Sequence, residues 1–282
     1  MAKSKTRTPK PTKKRVKPAW LTMTPGGRGL PPLSLEQLAK LDDSHPLLSE
    51  AFPGPPELGA RVRAFRVLMM HALARVADGE ARALERAWRE LERYFGRDAS
   101  FRLGYFVPSW LLLDFPSEPG GRTAAELYED FARSAGREDL AELVAELRAT
   151  RLGVYQEVST SPTAVRLREL YTEREIDVAA TFEQGAPGEL YLGRLVKLGR
   201  AWHFWGEFSS FPAEARDKMV EMIGDKLSKL SADVAAENRP AAYERLMKLA
   251  GPYWMSIVGG DADMPILDPA HYERYLGEDD ES

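Results

Sequence analysis

The fold is decided by residues 151–212, which read RLGVYQEVSTSPTAVRLRELYTEREIDVAATFEQGAPGELYLGRLVKLGRAWHFWGEFSSFP. In this segment we count five short runs in which apolar and polar residues alternate, the pattern of half-buried strands. The connections between the runs are short and contain turn residues. Five strands at this spacing predict a compact antiparallel sheet or barrel, of the kind found in SH3-like and OB-like modules. The apolar members of the runs are Leu152, Val154 and Val158; Val165 and Leu167; Ile176, Val178 and Phe182; Leu190, Leu192, Val196 and Leu198; and Trp202, Phe204 and Phe208.

Helical patterns flank the strands on both sides. Residues 61–95 contain no proline and carry apolar residues at helical spacing, and Asp78-Gly79 predicts a break between two helices. Thr123 and Glu126 have the spacing of a capping box, so a helix is expected to begin there. After the strands, Pro212 predicts another helix start. The fold class is therefore α+β, with a small five-stranded antiparallel sheet or barrel in the middle.

The chain divides into parts of different composition. We expect a disordered basic tail and linker over residues 1–33 and a helical region over residues 34–150. The sheet module, residues 151–212, is expected to pack with helices as the centre of one domain. C-terminal helices over residues 213–251 and an extension with an acidic end over residues 252–282 complete the chain.

Composition excludes several kinds of chemistry. The chain has no cysteine, which rules out disulfides, thiolate zinc sites and cysteine nucleophiles. Its histidines, His45, His71, His203 and His271, lack the i, i+4 spacing of a helical metal site. His71, beside Met69 and Met70, is better explained by core packing. No nucleophile elbow, phosphate loop or nucleotide fingerprint is present. We therefore assign no catalytic residue, metal or cofactor, and the enzyme hypothesis is weakened.

Charge is distributed unevenly along the chain. The net charge is -4, yet residues 1–35 hold nine Lys or Arg residues and no acidic residue. Lys10, Lys13, Lys14, Arg15 and Lys17, interleaved with prolines, could follow a phosphate backbone by releasing its counterions. These residues predict a nucleic-acid or ribosome contact, and the alternative is a tail that only raises solubility. No stretch approaches the roughly 20 apolar residues of a membrane span, so a cytoplasmic protein without membrane contact is expected.

The last strand of the segment has side chains of interest on both faces. Trp202, Phe204 and Phe208 are expected to point one way, and His203 and Trp205 the other. Two arrangements are open: helices cover the second face, or His203 and Trp205 form an exposed surface that binds a partner. Coverage is the favoured arrangement, since helices are available on both sides in the sequence.

Seven segments between residues 84 and 230 follow one another in a characteristic order. They are Trp88 with Tyr94-Phe95, YFVPSWLLLDF from Tyr105, the capped helix at Thr123, RLGVYQEV from Arg151, VRLRELYTEREIDV from Val165, GELYLGRLVKLGRAWHFWGEF from Gly188 and FPAEARDKMVEMI from Phe211. In the pattern and order of these segments, over about half of the chain, residues 84–230 resemble an uncharacterised bacterial family whose members often end in a SEC-C motif, a cysteine-rich zinc knuckle. The family has no established activity to carry over. The knuckle itself cannot be present, because the chain has no cysteine, and its metal binding does not transfer.

Three functional hypotheses follow from these features. The first is a non-enzymatic binding or adaptor protein that holds a protein partner with its aromatic-rich sheet module. The second is a nucleic-acid or ribosome-associated protein anchored by the basic tail. The third is an enzyme whose site is assembled from distant residues and leaves no local motif.

Overall fold

The computed structural model of the chain describes residues 33–52, 54–95, 106–117, 121–181, 185–206 and 208–230, together with positions 243, 244, 247, 248 and 251. Of residues 90, 92–95 and 226–230 only the backbone is described. By their contacts, residues Pro32–Ser282 form one compact unit that contains both helices and strands. The basic tail lies outside the described residues, apart from its last position.

The described helices are, in chain order, α1 (Leu35–Ala39), α2 (Pro46–Ser49), α3 (Pro56–Ala77), α4 (Arg82–Phe95), α5 (Phe106–Leu113), α6 (Ala124–Ser134), α7 (Glu138–Arg148) and α8 (Arg216–Leu230). The predicted break at Asp78-Gly79 separates α3 from α4. The predicted capping box is present at α6. The amide of Glu126 donates to the Thr123 hydroxyl at 3.3 Å, and the amide of Thr123 donates to the Glu126 carboxylate at 2.9 Å.

Helix α3 is the centre of the helical layer and contacts α1, α2, α5, α6 and α7. Most of its residues are buried, including Met69, Met70 and His71, which confirms that these three belong to the core. The aromatic run before α6 is also buried. Trp110 and Phe115 are at most 1% exposed, and their ring centroids lie 5.3 Å apart.

The strands are β1 (Leu152–Thr160), β2 (Ala164–Glu169), β3 (Glu175–Ala179), β4 (Leu190–Leu198), β5 (Ala201–Phe204) and β6 (Ser209–Phe211). They form one sheet of order β1-β2-β3-β5-β4-β6, which closes on itself through an additional β1–β4 pairing. Strand β4 therefore lies beside β1, and the meander β1-β2-β3 follows on the other side. The five strands β1 to β5 thus form a closed barrel with Greek-key connections.

The barrel corrects the prediction of a purely antiparallel sheet. All strand pairs are antiparallel except β3 and β5, which meet in parallel at Val178 and Trp202. The reason is geometric, because five directions cannot alternate around a closed ring. One neighbouring pair must run in parallel, and in this barrel that pair is β3 with β5.

The fifth predicted run, which ends at Phe208, is strand only in its first part: Trp202 and Phe204 lie in β5, and a further strand, β6, begins at Ser209. Both β5 and β6 pair with β4, and residues between them interrupt the ladder. Gly193 of β4 lies opposite this interruption, and an added Cβ there would come within 2.7 Å of the Phe204 ring. Glycine thus allows the aromatic side chains of the broken strand to lie close to β4.

The two sides of the barrel differ in cover. On β3, Ile176 and Val178 are buried whereas Glu175 and Asp177 are exposed, so the outer face of this strand meets solvent. Residues of both faces of β4 are buried. Because neighbours along a strand point to opposite faces, β4 is covered outside as well as inside.

Candidate functional site

Trp205 and His203 do not form a common exposed surface. Trp205 is 3% exposed, and its ring contacts Phe65 of α3 edge-on at a centroid distance of 5.6 Å. It therefore belongs to the contact between barrel and helices and is not available to a partner in this structure. His203 is partly exposed and pairs with Val196 in the β4–β5 ladder. Partial burial lowers the pKa of His203.

Trp202, Phe204 and Phe208, which we call the aromatic row, pack against the barrel core and yet remain partly exposed. The rings of Phe204 and Phe208 stack at 4.5 Å, and Tyr191 meets Phe208 edge-on at 5.8 Å. The row was expected on one face, and the structure confirms this by packing all three against the same core. The rings are thus held in place by the barrel while part of their surface stays accessible.

Three basic residues lie around Trp202, and we call them the basic turn cluster: Arg174, Lys197 and Arg200. The guanidinium carbon of Arg174 lies 5.7 Å from the centroid of the Trp202 ring, a cation–π geometry. Lys197 is the cross-strand partner of Trp202, so both side chains lie on the same face. Arg200 occupies the two-residue β4–β5 turn, after Gly199 with its φ of 57°.

The basic turn cluster is exposed and, among the described residues, has no acidic partner. The neighbouring arginines on the outer face of β2 differ in this respect. Arg166 binds Asp177 at 2.9 Å, and Arg168 binds Glu175 at 2.7 Å across the β2–β3 ladder. The three cations of the basic turn cluster are therefore not neutralised by carboxylates among the described residues.

One interior end of the barrel carries the buried carboxylate of Glu157, which is 2% exposed. The hydroxyl of Tyr191 donates to it at 2.7 Å, and the hydroxyl of Thr160 donates to its other oxygen. The amide of Gly185 in turn donates to the Tyr191 hydroxyl at 2.9 Å. Burial, with Glu157 as acceptor, raises the pKa of Tyr191, so the phenol keeps its proton and serves as a donor.

A second buried carboxylate, that of Glu169, accepts from Arg151 at 2.6 Å and from the Thr172 hydroxyl. Tyr243, from the helical residues near the C-terminus, covers this pair: the guanidinium of Arg151 lies 4.9 Å from its ring. Tyr243 also stacks on Tyr171 at 4.9 Å. Burial raises the pKa of Tyr243. These contacts hold Tyr243 against the barrel.

An ion pair between Arg194 and Asp114 joins the barrel to the helical layer. Both side chains are almost fully buried, and Arg194 also donates to the backbone oxygen of Thr150 at 2.9 Å. Burial raises the pKa of Asp114, and Arg194 opposes that rise. Since the pair connects residues from two layers, we interpret it as structural.

His71 has no catalytic arrangement around it. Its ring lies 4.7 Å from Phe131 and 5.5 Å from Tyr128, measured between centroids. Burial, with Arg75 nearby, lowers its pKa to about 3. The ring is therefore neutral at physiological pH and acts as an aromatic core residue.

Over the described residues, no group of three or more His, Asp or Glu side chains is placed to hold a metal ion. Within the same ranges, no helix has the length and apolar character that crossing a membrane requires.

Sequence reasoning missed the basic turn cluster. Its members lie in the β2–β3 turn, at the end of β4 and in the β4–β5 turn, and acidic residues such as Glu173 and Glu175 lie next to Arg174 in the chain. A usable signal was the LGR turn, which places Lys197 and Trp202 opposite each other in a hairpin. The predicted nucleic-acid contacts Lys10, Lys13, Lys14, Arg15 and Lys17 lie outside the described residues.

Comparisons with known proteins give no match. No family model matches the chain, and neither the curated proteins nor the solved structures contain one with significant similarity to it. The resemblance to the SEC-C-associated family therefore stays a prediction.

Proposed function

We propose that the protein is a non-enzymatic binding protein, an adaptor that holds a protein partner with its barrel in the cytoplasm. The observation that carries this proposal is the aromatic row, whose rings continue the barrel core and remain partly exposed. The buried carboxylates also support the proposal, because each of them is engaged in bonds within the fold. Glu157, Glu169 and Asp114 are each bonded to neighbouring side chains of the fold.

Aromatic side chains suit such a role because they supply a large part of the binding energy at protein interfaces. Phe204 and Phe208 are already ordered by stacking on each other. Binding would therefore cost little side-chain entropy.

The test is affinity purification from the native cell, with and without nuclease, followed by rebinding of the purified partner. Phe208→Ala should weaken rebinding by 10-fold or more, equivalent to about 1.4 kcal/mol. Phe131→Ala is the matched control, since Phe131 is a partly exposed phenylalanine of α6, outside the barrel. Equal affinity of both variants and the wild type would contradict the proposal.

A second candidate function is nucleic-acid or ribosome binding. It is favoured by the exposed, unpaired basic turn cluster and by the basic residues of segment 1–35. Deleting residues 1–18 should then weaken binding and flatten its salt dependence. If the deletion leaves nucleic-acid affinity unchanged, the tail has no part in it.

A further inference from the structure

We infer that the basic turn cluster, Arg174, Lys197 and Arg200, is a contact site for the phosphates of a single-stranded nucleic acid. The inference rests on the second candidate function and assigns it a place on the barrel. The predicted contacts of the basic tail lie far from this turn in the sequence.

The three cations of the cluster are arranged around one aromatic residue. Trp202 is the common neighbour, with Arg174 over its ring, Lys197 opposite it in the ladder and Arg200 two residues before it. Arg174 comes from the β2–β3 turn, Lys197 from the end of β4 and Arg200 from the β4–β5 turn, and the closure of the barrel brings these segments together. Stacking on Trp202 orders the guanidinium of Arg174, so less side-chain entropy is lost when it binds an anion.

The charges of the cluster differ from those of the neighbouring arginines on β2. The arginines of the β2–β3 face have carboxylates beside them, and those charges are largely compensated. The cluster has no such compensation among the described residues, so its cations remain available to phosphates. Each phosphate neutralised would release a condensed counterion from the nucleic acid.

The surroundings of the cluster favour a single-stranded nucleic acid over a duplex. The partly exposed rings of Trp202 and Phe204 belong to the strand that follows Arg200. Unpaired bases can rest on aromatic rings and on guanidinium planes, whereas a duplex keeps its bases stacked inside. A cluster made of two turn residues and the end of one strand fits a flexible nucleic-acid strand.

The experiment uses the full chain and three variants. In the cluster variant, Arg174, Lys197 and Arg200 are all changed to alanine. In the matched control, Arg166→Ala, Arg168→Ala and Arg216→Ala remove the same charge from arginines that have acidic partners. A third variant, Trp202→Phe, keeps the cations and removes the indole.

The probe is a fluorescein-labelled single-stranded oligonucleotide of about a dozen nucleotides, as DNA and as RNA, titrated at several salt concentrations. We expect the cluster variant to bind about 10- to 100-fold more weakly near 0.1 M salt, with a salt slope smaller by about 2, since each single-strand phosphate contact contributes about 0.7. The control should match the wild type. Tryptophan emission should change on binding in the wild type and less in Trp202→Phe.

The other outcomes each overturn a different statement. If the cluster variant binds as well as the wild type, the site is wrong, although the second candidate function stands. If neither the wild type nor any variant binds the oligonucleotide, both the proposed phosphate site and the second candidate function are wrong. If a polyglutamate probe binds with the same dependence on the cluster and the oligonucleotide does not, the ligand is an acidic polypeptide and the nucleic-acid assignment is wrong.

Discussion

The neutral ring of His71 couples the stability of the fold to pH. Its pKa is about 3 in the fold against 6.5 in a free side chain, because burial disfavours the charged form. Below pH 6.5 the unfolded chain gains a proton at this position that the folded chain does not take up until near pH 3. Stability should therefore fall as pH falls, by up to about 1.4 kcal/mol per pH unit in this window.

The measurement is denaturant unfolding of the wild type and of His71→Leu between pH 7.5 and 5. In the variant, the slope of the free energy of unfolding against pH should be smaller by the contribution of about one proton, whatever its stability at pH 7.5. Carboxylates titrate in both proteins, so the difference between the two curves isolates His71. Parallel curves would show that the folded protein takes up a proton at position 71 as readily as the unfolded chain does.

The buried pair of Arg194 and Asp114 allows a second residue-level test. Arg194→Met leaves the Asp114 carboxylate buried without its cation, which should cost about 3–5 kcal/mol. Adding Asp114→Leu removes the second charge, so the double variant should be less destabilised than the sum of the two single variants. Urea unfolding at neutral pH gives the four values, and simple additivity would mean that the two side chains do not interact.

At the scale of elements, the contact of β4 with the broken strand predicts opposite effects of one substitution at two glycines. Gly193→Ala would place a Cβ 2.7 Å from the Phe204 ring and 2.9 Å from the Cβ of Phe208, at a cost of about 1–3 kcal/mol. Gly224→Ala is the control: it lies on the exposed face of α8, and its Cβ would meet nothing within 4 Å. This variant should gain up to about 1 kcal/mol from helix propensity. Thermal unfolding compares the two, and equal shifts of Tm would argue against the close approach.

Elements defined by local signals were predictable from the sequence. The capping box at Thr123, the break at Gly79 and the strand runs all depend on residues close together in the chain. Alternation also placed Trp205 on the face opposite the aromatic row. What covers that face was not predictable, because Phe65 lies about 140 positions earlier.

Burial on both faces limited the interpretation of β1 and β4. The apolar residues used to recognise these strands, such as Val154 and Leu192, pair with each other on the outer face. The barrel interior is lined instead by Tyr155 and Tyr191, which alternation treats as the polar positions. A strand covered by helices outside and by a barrel core inside has no polar face to mark its orientation.

At the scale of the whole molecule, helical residues near the C-terminus connect both layers. Tyr243 contacts Arg151 and Tyr171 at the end of the barrel, and the backbone oxygen of Lys248 accepts a hydrogen bond from Trp110 of α5 at 2.8 Å. Tyr243→Ala should therefore cost about 3–5 kcal/mol. Unfolding should remain one transition, with far-UV circular dichroism and tryptophan fluorescence coinciding. Separate transitions would show that the barrel and helices are held independently.

The candidate binding surface was less accessible to sequence reasoning than the fold. Trp202 and Lys197 belong to one hairpin, but Arg174 reaches Trp202 only because β3 meets β5 in the closed ring. The ion pairs that neutralise Arg166 and Arg168 depend on register as well. Which cations stay free is thus a property of the assembled barrel.

The parallel contact of β3 with β5 also has a dynamic consequence. It consists of a single pair, Val178 with Trp202, whereas the other pairings that make up the ring hold several pairs each. Local opening of the barrel should be easiest at so short a pairing. The amides of β3 and β5 are therefore expected to exchange with deuterium sooner than those of β1 and β4. Arg174, next to β3, contacts Trp202 of β5. An anion bound between Arg174 and Lys197 of β4 would therefore oppose the separation of β3 from β5 and slow the exchange of their amides.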